Sequence, residues 1–332
     1  VSLSRFRLRL LIASCGLFGL LAAARPAAPC DSSGCLLVTR GQNGLMARGS
    51  VRIDVSYRRT PMGERLQGSR EVDQVLRPKI DFDNGRLLSG FHDELGGTDD
   101  FLQLDVAYGV SARAAVFASM PLVAHRTFDV GHAPVLSETY STTGNGDALL
   151  GLRYGLVQRA SDSLVAGLTL ELPSGRHTLE SPAGTADFGI LDPTMQPGSG
   201  SLDLGGTLQY ARGLPALMNG TVAVSYQHYT TNDLDYRFGS DAILSLTVGR
   251  PLVGALSGSV QVKGVRKGRS RFLDEPVPST GGRYVYVIPG VSVKAPLRMA
   301  VYGYAVIPAY RFVNEAQLAP RTGLVLGLSR TF

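Results

Sequence analysis

The stretch YQHYTTND, residues 226–233, holds the residue types of a nucleophile and its base. His228 stands two residues before Thr230, and Asn232 follows two residues later. On an extended strand this spacing puts all three side chains on one face. A neutral imidazole in that arrangement takes the hydroxyl proton, and an amide orients the ring. The plainer reading of the same residues is a polar strand end entering a loop. DFDNG (81–85) begins as a calcium loop begins, but its twelfth position is His92 rather than a bidentate Glu. Asp93, Glu94, Asp99 and Asp100 make the segment after it acidic, which reads as a solvated loop, with a weak surface cation site as the alternative.

The five histidines (92, 125, 132, 177 and 228) form no His-Glu-x-x-His pair, and GSGSLDLGG (198–206) precedes no helix, so it is not a dinucleotide fingerprint. No metal and no cofactor is expected. Cys30 and Cys35 lie near the start, and in an exported chain they read as a local disulfide. A metal or redox pair is the alternative, although nothing nearby supplies further ligands.

The composition bounds what these residues serve. The chain has 332 residues, 44% hydrophobic and 18% charged, below the ~25% charged of an ordinary soluble domain. Arg5, Arg7 and Arg9 precede an apolar run, Leu10 to Leu21, and then Ala22-Ala23-Ala24. That is the order of a secretory signal, and the run is too short for a spanning helix. The expected division is a signal peptide at 1–24, a periplasmic N-terminal segment with Cys30 and Cys35 at 25–49, and a barrel at 50–332. Removing the signal takes three Arg and no acid, leaving 30 basic and 27 acidic residues, a net +3. No basic cluster remains of the kind that grips nucleic acid.

The elements that position these residues are strands. Val51, Ile53, Val55 and Tyr57 alternate with Arg52, Asp54, Ser56 and Arg58. The same period of two returns around Leu104, Leu150, Leu168 and Leu208. The pattern predicts strands at 50–59, 101–109, 113–124, 146–156, 163–173, 200–210, 220–229, 239–249, 256–266, 283–293, 298–309 and 322–332. Short connections alternate with long ones at 60–100, 125–145, 174–199, 230–238, 267–282 and 310–321. Twelve strands with that alternation are the plan of an all-β, antiparallel, up-and-down transmembrane barrel. Tyr108, Tyr154 and Tyr210 sit on the apolar face near the short-turn end, where an interfacial girdle belongs. Arg52, Asp54, Asp105, Arg153, Glu171, Asp203 and Lys263 then face the lumen. A soluble sandwich is the competing fold, and it leaves the loop alternation unexplained.

GLVLGLSRTF (323–332) places Leu324, Leu326, Leu328 and Phe332 on one outward stripe. It resembles the C-terminal signal by which outer-membrane proteins are handed to the barrel-assembly machinery. Arg330 departs from that pattern, and a long Arg near the interface can snorkel. Three further stretches are TGNGDALLGLRYGL (143–156), LELPSGRHT (170–178) and MQPGSGSLDLGGTLQY (195–210). Together they resemble the outer-membrane transporter-like family named for the meta-pathway of phenol degradation, with Ser174 in place of its usual Thr. The resemblance implies a monomeric barrel for uptake of small, often hydrophobic or aromatic molecules.

The resulting expectation is an outer-membrane channel of a Gram-negative cell for passive passage of a small molecule. Its surroundings would be outer-membrane lipid and lipopolysaccharide, with no nucleic acid. Segment 25–49 or 60–100 is the candidate plug. Two alternatives stand beside it. One is a structural barrel without transport. The other resembles the outer-membrane lipid hydrolases, whose outer-face His-x-Ser pair His228, Thr230 and Asn232 would match but for the Thr.

Overall fold

The computed structural model describes residues 45–132 and 136–332. The expected signal peptide, Cys30 and Cys35 lie outside the described residues. Twelve long strands follow one another: β1 (Val51–Gly68), β2 (Arg86–Gly109), β3 (Ala114–His132), β4 (Ala148–Gln158), β5 (Asp162–Leu172) and β6 (Asp203–Gly213) make one half. The other half is β7 (Asn219–His228), β8 (Asp241–Pro251), β9 (Leu256–Lys267), β10 (Gly282–Ala295), β11 (Met299–Pro320) and β12 (Gly323–Thr331). Each pairs antiparallel with the next, and β1 also pairs with β12, Arg52 opposite Thr331 through Arg59 opposite Leu324. The sheet therefore closes into a twelve-stranded barrel with no free edge.

The burial is inverted relative to a soluble protein. Leu150, Leu152, Leu168, Leu204, Val224, Leu244, Leu246, Val262, Val301, Leu326 and many like them are exposed on the outer face. Asp54, Asp105, Arg153, Glu171, Asp203, Gln209, Ser245 and Ser329 are buried on the inner one. A water-facing surface rarely carries a contiguous apolar patch above a few hundred Å². A continuous apolar band around a closed barrel belongs in lipid. Among the described residues no helix is long and apolar enough to cross a membrane; this chain crosses with strands. Tyr108, Tyr154 and Tyr210 are exposed at one rim of the band, and Tyr226 and Tyr310 near the other. Arg330 points outward with its guanidinium 4.4 Å over the Phe332 ring, so its charge is shared with a ring face at the rim.

At the end of the barrel where β2 turns into β3, the connections are three to five residues long. At the other end, five of the six run from 12 to 30 residues. The twelve strands fall where the alternation puts them, but three of the expected loops need correcting. β1 continues to Gly68, β2 begins at Arg86, and β3 continues to His132 against an added strand, Leu136–Gly144. The end of β11, Ala316–Pro320, pairs with the upper part of β1. Above the apolar band the apolar/polar alternation breaks down, as in Thr60-Pro61-Met62-Gly63-Glu64. The backbone ladder persists there, while the alternation that reveals it does not.

Leu246 sits mid-strand on the lipid side, opposite Val222 and Val262. Leu246→Arg is expected to destabilise the barrel by about 2–4 kcal/mol in denaturant unfolding from lipid vesicles. A neutral result would mean that this face does not meet hydrocarbon.

Candidate functional site

The inner wall is built by the second half of the same alternation. Asp54 of β1 is directly opposite Asp105 of β2. Like charges facing across a ladder repel, so their surroundings must compensate. Tyr302 donates its hydroxyl proton to Asp54 Oδ1 at 2.7 Å, and Gln103 Nε2 lies 2.9 Å from both oxygens of Asp105. Arg52 and Arg153 both lie within electrostatic reach of this pair. Four of the seven expected lumen residues therefore form one cluster of two acids and two bases.

Three aromatics lie flat against this wall, and in each case the residue across the ladder is glycine. Phe117 covers Gly151, Tyr302 covers Gly327 and Tyr304 covers Gly290. A Cβ on any of these glycines would sit 2.1 Å from ring atoms. The missing side chain sets the ring's tilt. The Arg153 guanidinium rests 4.2 Å above the Phe117 ring.

The other expected lumen residues serve elsewhere. Glu171 accepts from Gln227 Nε2 at 3.4 Å, higher on the wall. Asp203 accepts Thr230 N–H at 2.9 Å and the Ser201 hydroxyl at 3.1 Å, so it fastens two loop ends. Lys263 is on β9, opposite Ser245 and Tyr286. The residues weighed as a hydrolytic set are not drawn together by hydrogen bonds. Thr230 Oγ1 donates to the Leu202 carbonyl at 2.9 Å, Asn232 Nδ2 donates to the Ser199 carbonyl at 2.9 Å, and His228 Nδ1 is 3.4 Å from Ser240 Oγ.

The three glycine-rich stretches converge at the upper ends of β4, β5 and β6. Asp147 accepts the backbone N–H of Gly175 at 2.8 Å and of Ser199 at 2.6 Å, while Ala148 N–H donates to Ser174 Oγ at 2.8 Å. The motif thus ties the two ends of loop 173–202 to the barrel. Beyond that tie the loop is strapped to the neighbouring segments at the long-loop end. Lys79 is only 1% exposed and donates to the Ile190 carbonyl at 2.7 Å, with Asp187 at 3.1 Å. Thr142 and Arg126 donate to the carbonyls of Met195 and Thr194. Leu191 and Met195 pack under Val130 and Tyr140. Lys79 belongs to the short strand Leu76–Asp81, whose last four residues are buried and whose Ile80 packs on Tyr236, Phe272 and Val277. This part of segment 60–100 packs among residues of the connections 229–240 and 268–281. The four acids expected to make an acidic loop each have a cationic partner: Arg65 for Asp93, Arg77 for Glu94, Arg126 for Asp99 and Arg59 for Asp100. Asp81 closes the turn of DFDNG by accepting from Asn84 and Arg86.

Sequence reasoning had no signal for this strap, because Lys79, Asp187 and Asp192 are ordinary loop residues by type. No family model matches the chain, and no curated relative matches it. Among solved structures it is similar to an outer membrane channel from Pseudomonas putida F1. Over 89% of this chain and 99% of that one the identity is 14%, with a TM-score of 0.62. At that identity the likeness establishes the fold: an outer-membrane β-barrel. Weaker likenesses are to a FadL homologue of Pseudomonas aeruginosa (7% identity, 93% of this chain and 99% of that chain, TM-score 0.44) and a KdgM porin (8%, 84% and 99%, 0.42).

His92, in the upper extension of β2, is 2% exposed and neither ring nitrogen has a hydrogen-bond partner among the described residues. Arg77, Glu94, Asp187 and Asp192 surround it, and the His132 ring is 6.0 Å away. Burial pushes His92 below its ordinary 6.5, with Asp192 and Glu94 pulling the other way. Its contribution to the closed strap is therefore complete above about pH 6.5 and declines as pH falls toward the lowered value. Burial pushes the Asp192 carboxyl up, so its own penalty is relieved on acidification and acts in the opposite sense. The His92 share is read by difference. Amide exchange over 187–196, corrected for intrinsic rate, should accelerate more in wild type than in His92→Asn between about pH 7.5 and pH 5.5. Equal responses would remove His92 from the balance.

Proposed function

We propose that the protein is a passive channel of the outer membrane for a small molecule, with its selectivity set by the charge cluster of Arg52, Asp54, Asp105 and Arg153. The observation that carries this reading is the inner wall itself. Asp54, Asp105 and Arg153 are buried, with the half-buried Arg52 beside them, inside a closed barrel whose outside is apolar. A barrel serving only as scaffold has no need to bury two facing carboxylates and the Arg153 guanidinium in its interior, where each costs several kcal/mol to desolvate. Such charges are what select ions and solutes in a pore. Loop 173–202 and the strand Leu76–Asp81 gate it from the long-loop side, which faces outward from the cell. The glycine-rich stretches, through their resemblance to the phenol meta-pathway family, favour hydrophobic or aromatic cargo. The outward stripe of Leu324, Leu326, Leu328 and Phe332 serves the assembly machinery, and the barrel works as a monomer. The hydrolase reading draws no support, since Thr230 spends its hydroxyl on a backbone carbonyl.

The test is conductance in a planar bilayer under a KCl gradient. Asp105→Ala should shift the reversal potential toward anion selectivity, and Arg153→Ala toward cation selectivity. Wild-type protein that is folded but silent would contradict the channel. Conductance unchanged in selectivity by both substitutions would remove the cluster from the permeation path.

A further inference from the structure

The guanidinium of Arg153 is buried on the inner wall with donors left over among the described residues. It is 2% exposed, and its Nε and Nη2 atoms have no hydrogen-bond partner among the described residues. Asp105 is within electrostatic reach, but both its oxygens accept from Gln103. Nε–H and Nη2–H form the side-on fork of a guanidinium, two nearly parallel donors. That spacing matches the two oxygens of one carboxylate. The fork is also held in place, because the guanidinium stacks on Phe117 and Gly151 lets that ring lie flat. A preorganised, desolvated, unpaired fork is costly to the fold and suited to a ligand.

The Phe117 ring under this guanidinium also belongs to an apolar seat. Ala107, Phe117 and Leu149 line it, and Met46 fills it. Met46 does not belong to the wall. It comes from the segment 45–50, which precedes β1 and turns into the short-turn end of the barrel. Gly49 N–H donates to the Gly109 carbonyl at 2.8 Å, and Gly109 N–H donates to the Ser50 carbonyl at 3.0 Å. The wall is shaped for this segment. A Cβ on Gly109 would be 2.0 Å from the Ala47 carbonyl oxygen, and one on Gly155 would be 2.5 Å from Leu45. An unbranched thioether is an adaptable filler of an apolar gap.

We propose that the seat beside Arg153 is a binding site for a small monocarboxylate with an apolar body, and that Met46 is its resident stand-in. The carboxylate takes the fork, and the body takes the place of the thioether on Phe117. One negative charge fits the site better than two, because Asp54 and Asp105 lie close by. Binding displaces segment 45–50 and so couples cargo to opening at the short-turn end. This deepens the channel reading by naming a substrate class, and it rests on that reading for its physiological meaning.

Benzoate is the probe, read in two ways on the full chain. Calorimetric titration in detergent reports binding without passage. Block of KCl current in a bilayer reports binding in the pore. Benzyl alcohol has the body without the carboxylate, and inorganic phosphate has the anion without the body. Both should bind at least tenfold more weakly than benzoate. Arg153→Gln should lose at least tenfold in benzoate affinity. Arg153→Lys keeps the charge without the fork and should lose most of the same affinity. Met46→Ala empties the seat and should tighten benzoate several-fold; it also keeps the test alive if the Arg153 variants fail the heat-shift check for a folded barrel. Benzoate that binds no better than benzyl alcohol, or is indifferent to Met46 and Arg153, overturns the site. Phosphate equal to benzoate overturns the apolar half of it. KCl current without any benzoate effect defeats this inference and leaves the channel standing. Benzoate binding without any current does the reverse.

Discussion

The structure depends on one ladder, the pairing of β1 with β12. Eight residue pairs join them, from Arg52 opposite Thr331 to Arg59 opposite Leu324. In hydrocarbon an unpaired backbone N–H or C=O costs several kcal/mol, since no water can replace its partner. An open twelve-stranded sheet would expose two such edges, at a cost on the order of tens of kcal/mol. Closure is therefore the condition for everything else. It fixes which half of each strand faces lipid and which half faces the lumen.

Closure also makes the interior a place of constraint. The wall cannot use bulky apolar side chains on both faces, so it packs its inner face with polar residues and with aromatics laid over glycines. Tyr302 shows the economy of that arrangement. Its ring lies over Gly327 while its hydroxyl neutralises part of the repulsion between Asp54 and Asp105. The same low dielectric that strengthens this bond makes the fork of Arg153, unpartnered among the described residues, expensive. At the long-loop end the strand extensions carry their own ion pairs, and loop 173–202 is drawn down by Lys79, Thr142 and the Asp147 tie. One chain thus supplies the wall and the segments packed against its long-loop end.

How much of this was legible follows from what alternation can signal. Wherever one face met lipid, the period of two was clean, and all twelve strands were found from it. Arg52, Asp54, Asp105 and Arg153 were marked as inward by the same rule, since parity alone decides their direction. Above the band the alternation lapses, so β1, β2, β3 and β11 look like loops in sequence although their ladders continue. Asp203 and Asp147 illustrate a second limit. Parity and residue type say that an acid points inward, but only the fold shows that its oxygens are taken by loop N–H and hydroxyl groups. Lys79 and His92 of one excursion meet Asp187 of another, and no local pattern predicts such a meeting. Met46 precedes the first strand and carries no signal beyond being apolar.

The central claim is that this sheet is closed inside out, lipid-facing at every second residue. It is tested most directly by spin labels placed one at a time along β8, from Ala242 to Val248, in lipid vesicles. Relaxation by oxygen, which partitions into hydrocarbon, should be strong at 242, 244, 246 and 248 and weak at 243, 245 and 247. A flat profile, or strong relaxation by a water-soluble nickel chelate at the even positions, would contradict the barrel in lipid and every role assigned to its interior.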